Sequence, residues 1–181
     1  TNSNYKWSGK KIKQLGLNLN APGDRTSDDN TLWLEFPYVA GASPEVPVKM
    51  DTMEYYEIRK DPISITSENN PWISSSSIGG IRSMEITLSK ESVAEEASYS
   101  VYLYFSEPEN TGKGERVFDV NIQGRKVLEN FDIVGETGKK DKELVKSFSG
   151  IRAGRTLRIE MNPKQGNTIL SGIELVEESR P

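Results

Sequence analysis

The chain has 181 residues, and its 23 Lys and Arg against 27 Asp and Glu leave a formal net charge of −4. It is long enough for one domain that buries roughly 70% of its unfolded surface, too acidic for a phosphate-binding surface, and without an apolar run near the roughly 20 residues of a membrane span. It holds no Cys and no His, which excludes disulfides, thiol chemistry, His-based triads and Cys- or His-ligated metal, so catalysis would rest on carboxylates, Lys, Tyr or Arg alone.

No secretory leader is visible, and Thr1 reads as the start of an excised segment. Residues 1–11 are polar and read as a loose lead-in, with Tyr5 and Trp7 as anchors. Over 12–19 the leucines alternate at Leu15, Leu17 and Leu19, which predicts a first strand. The run 21–30, APGDRTSDDN, is a turn-rich loop. Leu32, Leu34 and Phe36 alternate with Trp33 and Glu35 in a second strand stopped by Pro37, and Trp33 is expected to pack beneath the preceding loop. Gly and Pro punctuate 38–47, a surface excursion. Short apolar pieces follow at 55–58 and 63–65; 69–80, NNPWISSSSIGG, is the most loop-like stretch.

A clear strand is predicted over 83–88, then a connector over 90–97 with one helical turn. From Tyr99 the pattern is strict: Tyr99, Val101, Leu103 and Phe105 on one face, Ser100, Tyr102, Tyr104 and Ser106 on the other. Pro108 and a polar run break it, and alternation resumes with Phe118, Val120 and Ile122 inward and Asp119 outward. These two runs predict an antiparallel pair with one wet face, and Gln123-Gly124 a tight turn after it. Residues 127–133 continue the sheet, 135–141 form a charged loop, and 143–148, 156–161 and 169–176 are short strands. Strand spacing of roughly 8 to 12 residues predicts an all-β sandwich or jelly roll.

The blocks Phe105-Ser106-Glu107, Arg116-Val117-Phe118-Asp119-Val120, Gly124 and Phe131-Asp132-Ile133, followed by Leu157-Arg158-Ile159-Glu160 and Leu170-Ser171-Gly172-Ile173-Glu174, resemble the malectin and malectin-like domains. That resemblance implies a galactose-binding-like β-sandwich that acts as a carbohydrate-binding module. Residues 83–177 would be its core, 1–60 an N-terminal strand-and-loop extension packed on it, and 1–181 a single domain. A second likeness, Leu17-Asn18-Leu19-Asn20-Ala21-Pro22-Gly23-Asp24-Arg25 with Thr31-Leu32-Trp33-Leu34-Glu35-Phe36-Pro37, is to the segment preceding such modules in bacterial proteins with a PQQ-type β-propeller. It implies the C-terminal module of a larger exported protein, periplasmic or extracellular; the alternative to sugar binding is a structural module that docks on a partner domain such as a quinoprotein β-propeller.

Two features depart from the family pattern. Malectin carries an aromatic pair just after its Phe-Ala-Glu motif, where this chain has Pro108-Glu109-Asn110, and an acidic residue before the last strand, where it has Gly166-Asn167. Sugar platforms are therefore expected on loop aromatics, namely Trp72, Tyr38, Tyr55 and Tyr56. Tyr104, Glu107 and Asn167 complete the expected contacts. Tyr102 and Tyr104 fit either a concave sheet surface or a second core layer. Glu107, Arg116, Asp119 and Asp132 fit either sugar hydroxyls or a structural pair across the hairpin, with Asp132 capping a turn. The carboxylates of Asp24, Asp28 and Asp29 fit a solvated loop better than a calcium site, since the EF-hand spacing is missing. Glu107 with Glu160 is a conceivable hydrolytic pair that nothing singles out. The expectation is a non-catalytic module without cofactor or metal that binds carbohydrate or an adjacent protein domain, and neither nucleic acid nor membrane.

Overall fold

The computed structural model describes residues 7–38 and 46–179. The chain folds into two six-stranded sheets that face each other across one hydrophobic core. The first sheet uses β1 (Gln14–Leu19), β2 (Arg25–Thr26), β3 (Leu32–Phe36), β6 (Ala97–Phe105), β9 (Leu144–Ala153) and β12 (Gly172–Glu177), in the order β2-β3-β1-β12-β6-β9. The second uses β4 (Val48–Arg59), β5 (Ser76–Thr87), β7 (Val117–Ile122), β8 (Arg125–Phe131), β10 (Thr156–Gln165) and β11 (Ile169–Leu170). It runs β11-β5-β10-β7-β8, with β4 laid along the other side of β5. Only β1 and β3 pair in parallel among the described strands. Two short helices, α1 (Pro71–Ser74) and α2 (Ile133–Thr137), sit in the connections.

The all-β sandwich is as expected, and the inward residues of the alternating runs are buried. Tyr99, Val101, Leu103, Phe105, Phe118, Val120 and Ile122 lose all solvent contact. The expected pairing of the two runs is wrong. β6 lies between β12 and β9, whereas β7 lies in the opposite sheet between β10 and β8. The 106–116 loop crosses from one sheet to the other, so both runs face the same core from opposite sides. Phe105 and Phe118 meet there at 6.0 Å, with Phe131 4.8 Å from Phe105. The hairpin is β7–β8, turned at Gln123-Gly124 with φ of 52° and 76°, the positive pair a two-residue turn requires. Asp119, expected on the wet face, is buried: it accepts from the Asn130 N–H at 2.8 Å and lies 3.3 Å from Lys126 Nζ.

Other expectations need correction. The loop-like 69–80 is α1 and the first half of β5. Its serines are buried yet satisfied, since Ser76 Oγ donates to Asn18 Oδ1 at 3.3 Å and the Ser77 and Ser171 hydroxyls pair at 3.0 Å. The piece at 55–58 belongs to a twelve-residue edge strand, β4, whose outward Lys49, Asp51 and Glu57 hide its apolar alternation. Ile63 lies in a 3₁₀ turn, 90% exposed, rather than in an apolar piece. No helical turn forms over 90–97. The charged loop at 135–141 begins inside α2, capped by Asp132, whose carboxylate accepts from Gly135 N–H at 3.0 Å. The 21–30 loop contains β2, whose Arg25 is the cross-strand partner of Trp33; Trp33 is buried, with Trp72 and Tyr104 as its ring neighbours. Tyr5 and most of the 38–47 excursion lie outside the described residues.

Candidate functional site

One cleft of about 420 Å³ opens where β4, the 106–116 loop and the turn before β11 meet. Three tight backbone approaches build it. Between Thr52 and Tyr56 the β4 register shifts, and Glu54 takes a φ of 56°. Opposite that bulge Gly80 has a φ of 89°, and a Cβ there would stand 2.4 Å from the Met53 carbonyl oxygen. The bulge leaves the Glu54 carbonyl free to accept from Asn167 Nδ2 at 3.2 Å. The Tyr56 ring lies flat over Gly79, whose missing Cβ would fall 2.1 Å from it. A Cβ on Gly166 would meet the Glu115 carbonyl oxygen at 2.7 Å.

Beneath the cleft is a buried ion pair. Arg116 Nε donates to Glu107 Oε2 at 2.6 Å, Nη2 to Oε1 at 3.4 Å, and Nη1 to the Asn167 carbonyl at 2.9 Å. Glu107 Oε1 also accepts the N–H groups of Glu109 and Asn110, at 3.0 and 3.1 Å. The two side chains are 4% and 1% exposed. Burial opposes the charge on Arg116, but Glu107 outweighs it and holds the guanidinium above its usual pKa. Burial likewise raises the Tyr56 phenol, against the pull of Arg116, so it stays protonated at neutral pH.

The cleft's exposed charge is thus acidic: Glu54, Glu109 and Glu115 line it, while Arg116 is already paired. Carboxylates accept from hydroxyl donors, and Asn110 and Tyr56 add groups that both donate and accept. The Asn167 amide frames the cleft, its Oδ1 accepting from Arg82 at 3.3 Å and from the Thr168 N–H at 2.9 Å, and its Nδ2 donating to the Glu54 carbonyl. Such a lining suits a neutral polyhydroxylated ligand and disfavours an anion.

The expected site residues divide among separate places. Tyr56 and Asn167 line this cleft, and Glu107 lies under it with its carboxylate engaged by Arg116 and the loop. The structural alternative holds for Arg116, though its partner sits across the 106–116 loop, not across a hairpin. Trp72 lines a second cleft of about 390 Å³, where the Arg25 guanidinium sits 4.6 Å above its indole. Tyr104 stands edge-on to Trp33 at 5.2 Å on the outer face of the first sheet, where burial and Glu174 raise its phenol. Tyr55 is exposed on β4 and donates to Glu57; burial and that carboxylate push its phenol to about 12. Tyr38 stands against Phe36 and reaches the Val46 carbonyl at 3.5 Å. Glu160 is bonded by Arg158 at 3.0 Å, on β10. Among the described residues no cluster of three or more acidic side chains could hold a metal ion, and no helix is long and apolar enough to cross a membrane.

Glu54 and Glu115 were missed. The Gly79-Gly80 doublet was the available signal, because adjacent glycines inside a strand mark a bulge or a close approach.

The malectin domain family matches residues 50–173. Receptor-like protein 4 of Arabidopsis thaliana is 40% identical over 83 residues, 44% of this chain and 13% of that protein. Among solved structures, beta-glucuronidase 2 of Bacteroides uniformis superposes with a TM-score of 0.67 at 20% identity, over 92% of this chain and 18% of the enzyme. The ANXUR1 extracellular domain of Arabidopsis thaliana gives 0.63 at 16% identity, over 92% of this chain and 48% of that one. A plant complex of the peptide RALF23 with FER and LLG2 gives 0.64 at 16%, again over 92% and 48%. At those identities the likeness is one of fold. The chain spans about an eighth of the curated relative and about half of the receptor ectodomains.

Proposed function

Because the chain belongs to the malectin domain family, we propose that it is a non-catalytic module that binds a neutral carbohydrate in the cleft between the β4 bulge and the 106–116 loop. The observation that carries this reading is the convergence of Tyr56, Asn110 and Asn167 with three exposed carboxylates over a buried, already compensated cation. Hydrogen bonds at roughly 0.5–1.5 kcal/mol each reach the roughly −4 kcal/mol of a millimolar complex with only a few contacts. Without malectin's aromatic pair after Glu107, the ring contact falls to Tyr56, so the glycan preference differs from malectin's. The extracellular setting of the receptor ectodomains supports a location outside the cytoplasm.

Isothermal titration of neutral oligosaccharides, chosen from a glycan array, tests this. The reading predicts saturable binding that weakens at least about tenfold in Asn110→Ala and Tyr56→Leu, the loss of one or two hydrogen bonds. An array without a hit, or binding indifferent to both substitutions, would overturn it.

A second reading is docking on a neighbouring domain, such as a quinoprotein propeller in a bacterial polypeptide. The edge strand β4 favours it, with Met53 60% and Tyr55 41% exposed. The complex of RALF23 with FER and LLG2, one chain of which shares this fold, supports the same possibility. Retention of full carbohydrate affinity in Met53→Ser alongside loss of partner binding would establish docking as an additional role.

A further inference from the structure

The second cleft has the opposite character. Pro22 and Pro62 wall it, and Arg25, Arg59 and Lys60 line it with Asp24 as the acidic member. Arg59 is anchored by the Asn20 carbonyl, to which Nε and Nη2 donate at 3.1 and 2.7 Å. Lys60 is anchored by the Pro108 carbonyl and Asp141, at 2.6 and 2.7 Å. Asp24 accepts from the Glu35 N–H at 2.9 Å. Arg25 is held differently: its exposed guanidinium sits over the Trp72 ring, 4.6 Å from the centroid, and that ring in turn abuts Trp33 at 6.0 Å with the planes at 89°. A cation–π contact of this kind restrains the guanidinium, whose planar N–H fork receives a carboxylate through two parallel bonds. The contact also takes the indole face that a pyranose ring would need.

Arg25 belongs to β2, which is the outer strand of the first sheet. In its antiparallel pairing with β3 the neighbouring Ser27 N–H donates inward, to the Thr31 carbonyl at 3.0 Å. Backbone groups alternate along such a ladder, so those of Thr26 point outward, at an edge that no other described strand pairs with. A peptide strand added there would set alternate side chains on the face of Arg25.

We propose that β2 and the Trp72 cleft form a second binding site, distinct from the carbohydrate cleft, for an extended acidic peptide segment. Its backbone pairs with Thr26, and its carboxylate side chains meet the Arg25 fork, with Arg59 supplying further positive field. An acidic partner is selected because Arg25 and Arg59 make no salt bridge to another described residue, whereas Lys60 is already paired with Asp141, and a strand-like partner because the site lies on a sheet edge.

The test is fluorescence anisotropy of the full chain with a fluorescein-labelled octapeptide that alternates Glu and Val. The Gln–Val octapeptide serves as neutral control and tetragalacturonate as an anionic sugar competitor. The proposal predicts saturable binding of the Glu peptide, at least about tenfold weaker for the Gln peptide and for Arg25→Gln, as expected for a charge-assisted pair. Thr26→Pro removes only an outward N–H, a position where proline is tolerated on an edge strand, and is predicted to weaken binding with an unchanged circular dichroism spectrum. Absence of binding, equal binding to Arg25→Gln, or displacement of the peptide by tetragalacturonate at lower concentration than by unlabelled peptide would overturn it.

Discussion

Replacing Glu107 by Gln keeps the shape of the cleft floor but removes its charge. The guanidinium of Arg116 then stays buried, 4% exposed, with two neutral partners, the Asn167 carbonyl at 2.9 Å and the Tyr56 phenol, since Glu109 Oε2 lies 3.8 Å away and is half exposed. Breaking one side of a buried pair costs about 3–5 kcal/mol. The amide oxygen of Gln still accepts the loop N–H groups of Glu109 and Asn110, so the lower end, about 3 kcal/mol, is expected. For a chain of this size that corresponds to a fall in Tm of roughly 6–12 °C. It is a large fraction of a typical total stability of about 5–15 kcal/mol. Urea unfolding followed by tryptophan fluorescence measures it, and the double substitution Glu107→Gln with Arg116→Met completes a cycle. Removing both charges is predicted to cost less than the sum of the single changes by about 2 kcal/mol or more, the coupling of two groups in contact. A single-variant loss under about 1 kcal/mol, or strict additivity in the cycle, would refute the view that this pair anchors the cleft.

Further outcomes are expected elsewhere. Gly80→Ala forces a side chain onto a φ of 89° with the Met53 carbonyl 2.4 Å away; it should cost about 1–3 kcal/mol and lower carbohydrate affinity, measured by urea unfolding and calorimetry. Gly16→Ala brings a Cβ within 2.4 Å of the Trp33 ring, which should shift the fluorescence emission and cost about 1–3 kcal/mol by overpacking. Burial raises the pKa of Glu174, against the hydrogen bond from Thr31 and with some help from Asp29. Its protonated form is therefore favoured in the fold, a stabilisation present below about 4.5 and lost as pH rises through the higher folded value. Glu174→Gln should accordingly gain stability relative to the parent between pH 4 and pH 7, seen as a shift in urea midpoint; the same difference at both values would contradict this. Asp119 behaves oppositely. The Asn130 N–H, with Lys126 and Lys164, holds it below 3.8 despite burial, so Asp119→Asn should flatten the loss of stability as pH falls through that lower value.

Much of the sandwich was legible because its strands bury one face at period two. Tyr99 to Phe105 and Phe118 to Ile122 carry that signal openly. The same period says nothing about which sheet a strand joins. The run on each side of the 106–116 loop looks alike whether the strands pair or face each other, and only the long-range contacts of Phe105, Phe118 and Phe131 decide it. β4 was obscured because an edge strand with a wet face alternates charge with apolar residues too weakly to stand out, and its bulge at Glu54 breaks the register midway. The 69–80 stretch misled for a different reason. Ser76, Ser77, Gly79 and Gly80 carry turn composition, but here small size permits close backbone approach and the hydroxyls find buried partners. Of the site, the residues Glu107, Arg116, Tyr56 and Asn167 could be singled out from the sequence. It suggests a carboxylate across a hairpin for Arg116 and a loop for Tyr56, so neither the Glu107 partner nor the strand was readable. The convergence of Glu54 and Asn110 with them was not readable either, because it depends on a bulge and a crossing loop separated by about fifty residues of chain. Trp72 was visible as a residue, whereas the guanidinium covering it comes from β2, which the loop composition of 21–30 concealed.

The most direct test of the carbohydrate reading is a map of where the ligand lands. In a ¹⁵N-labelled sample titrated with the best neutral oligosaccharide, the account predicts saturable amide shifts concentrated at Glu54, Tyr56, Asn110, Arg116 and Asn167, with Arg25 and Trp72 unmoved. Shifts centred on Trp72, or on the outer face of the first sheet around Tyr104, would contradict it.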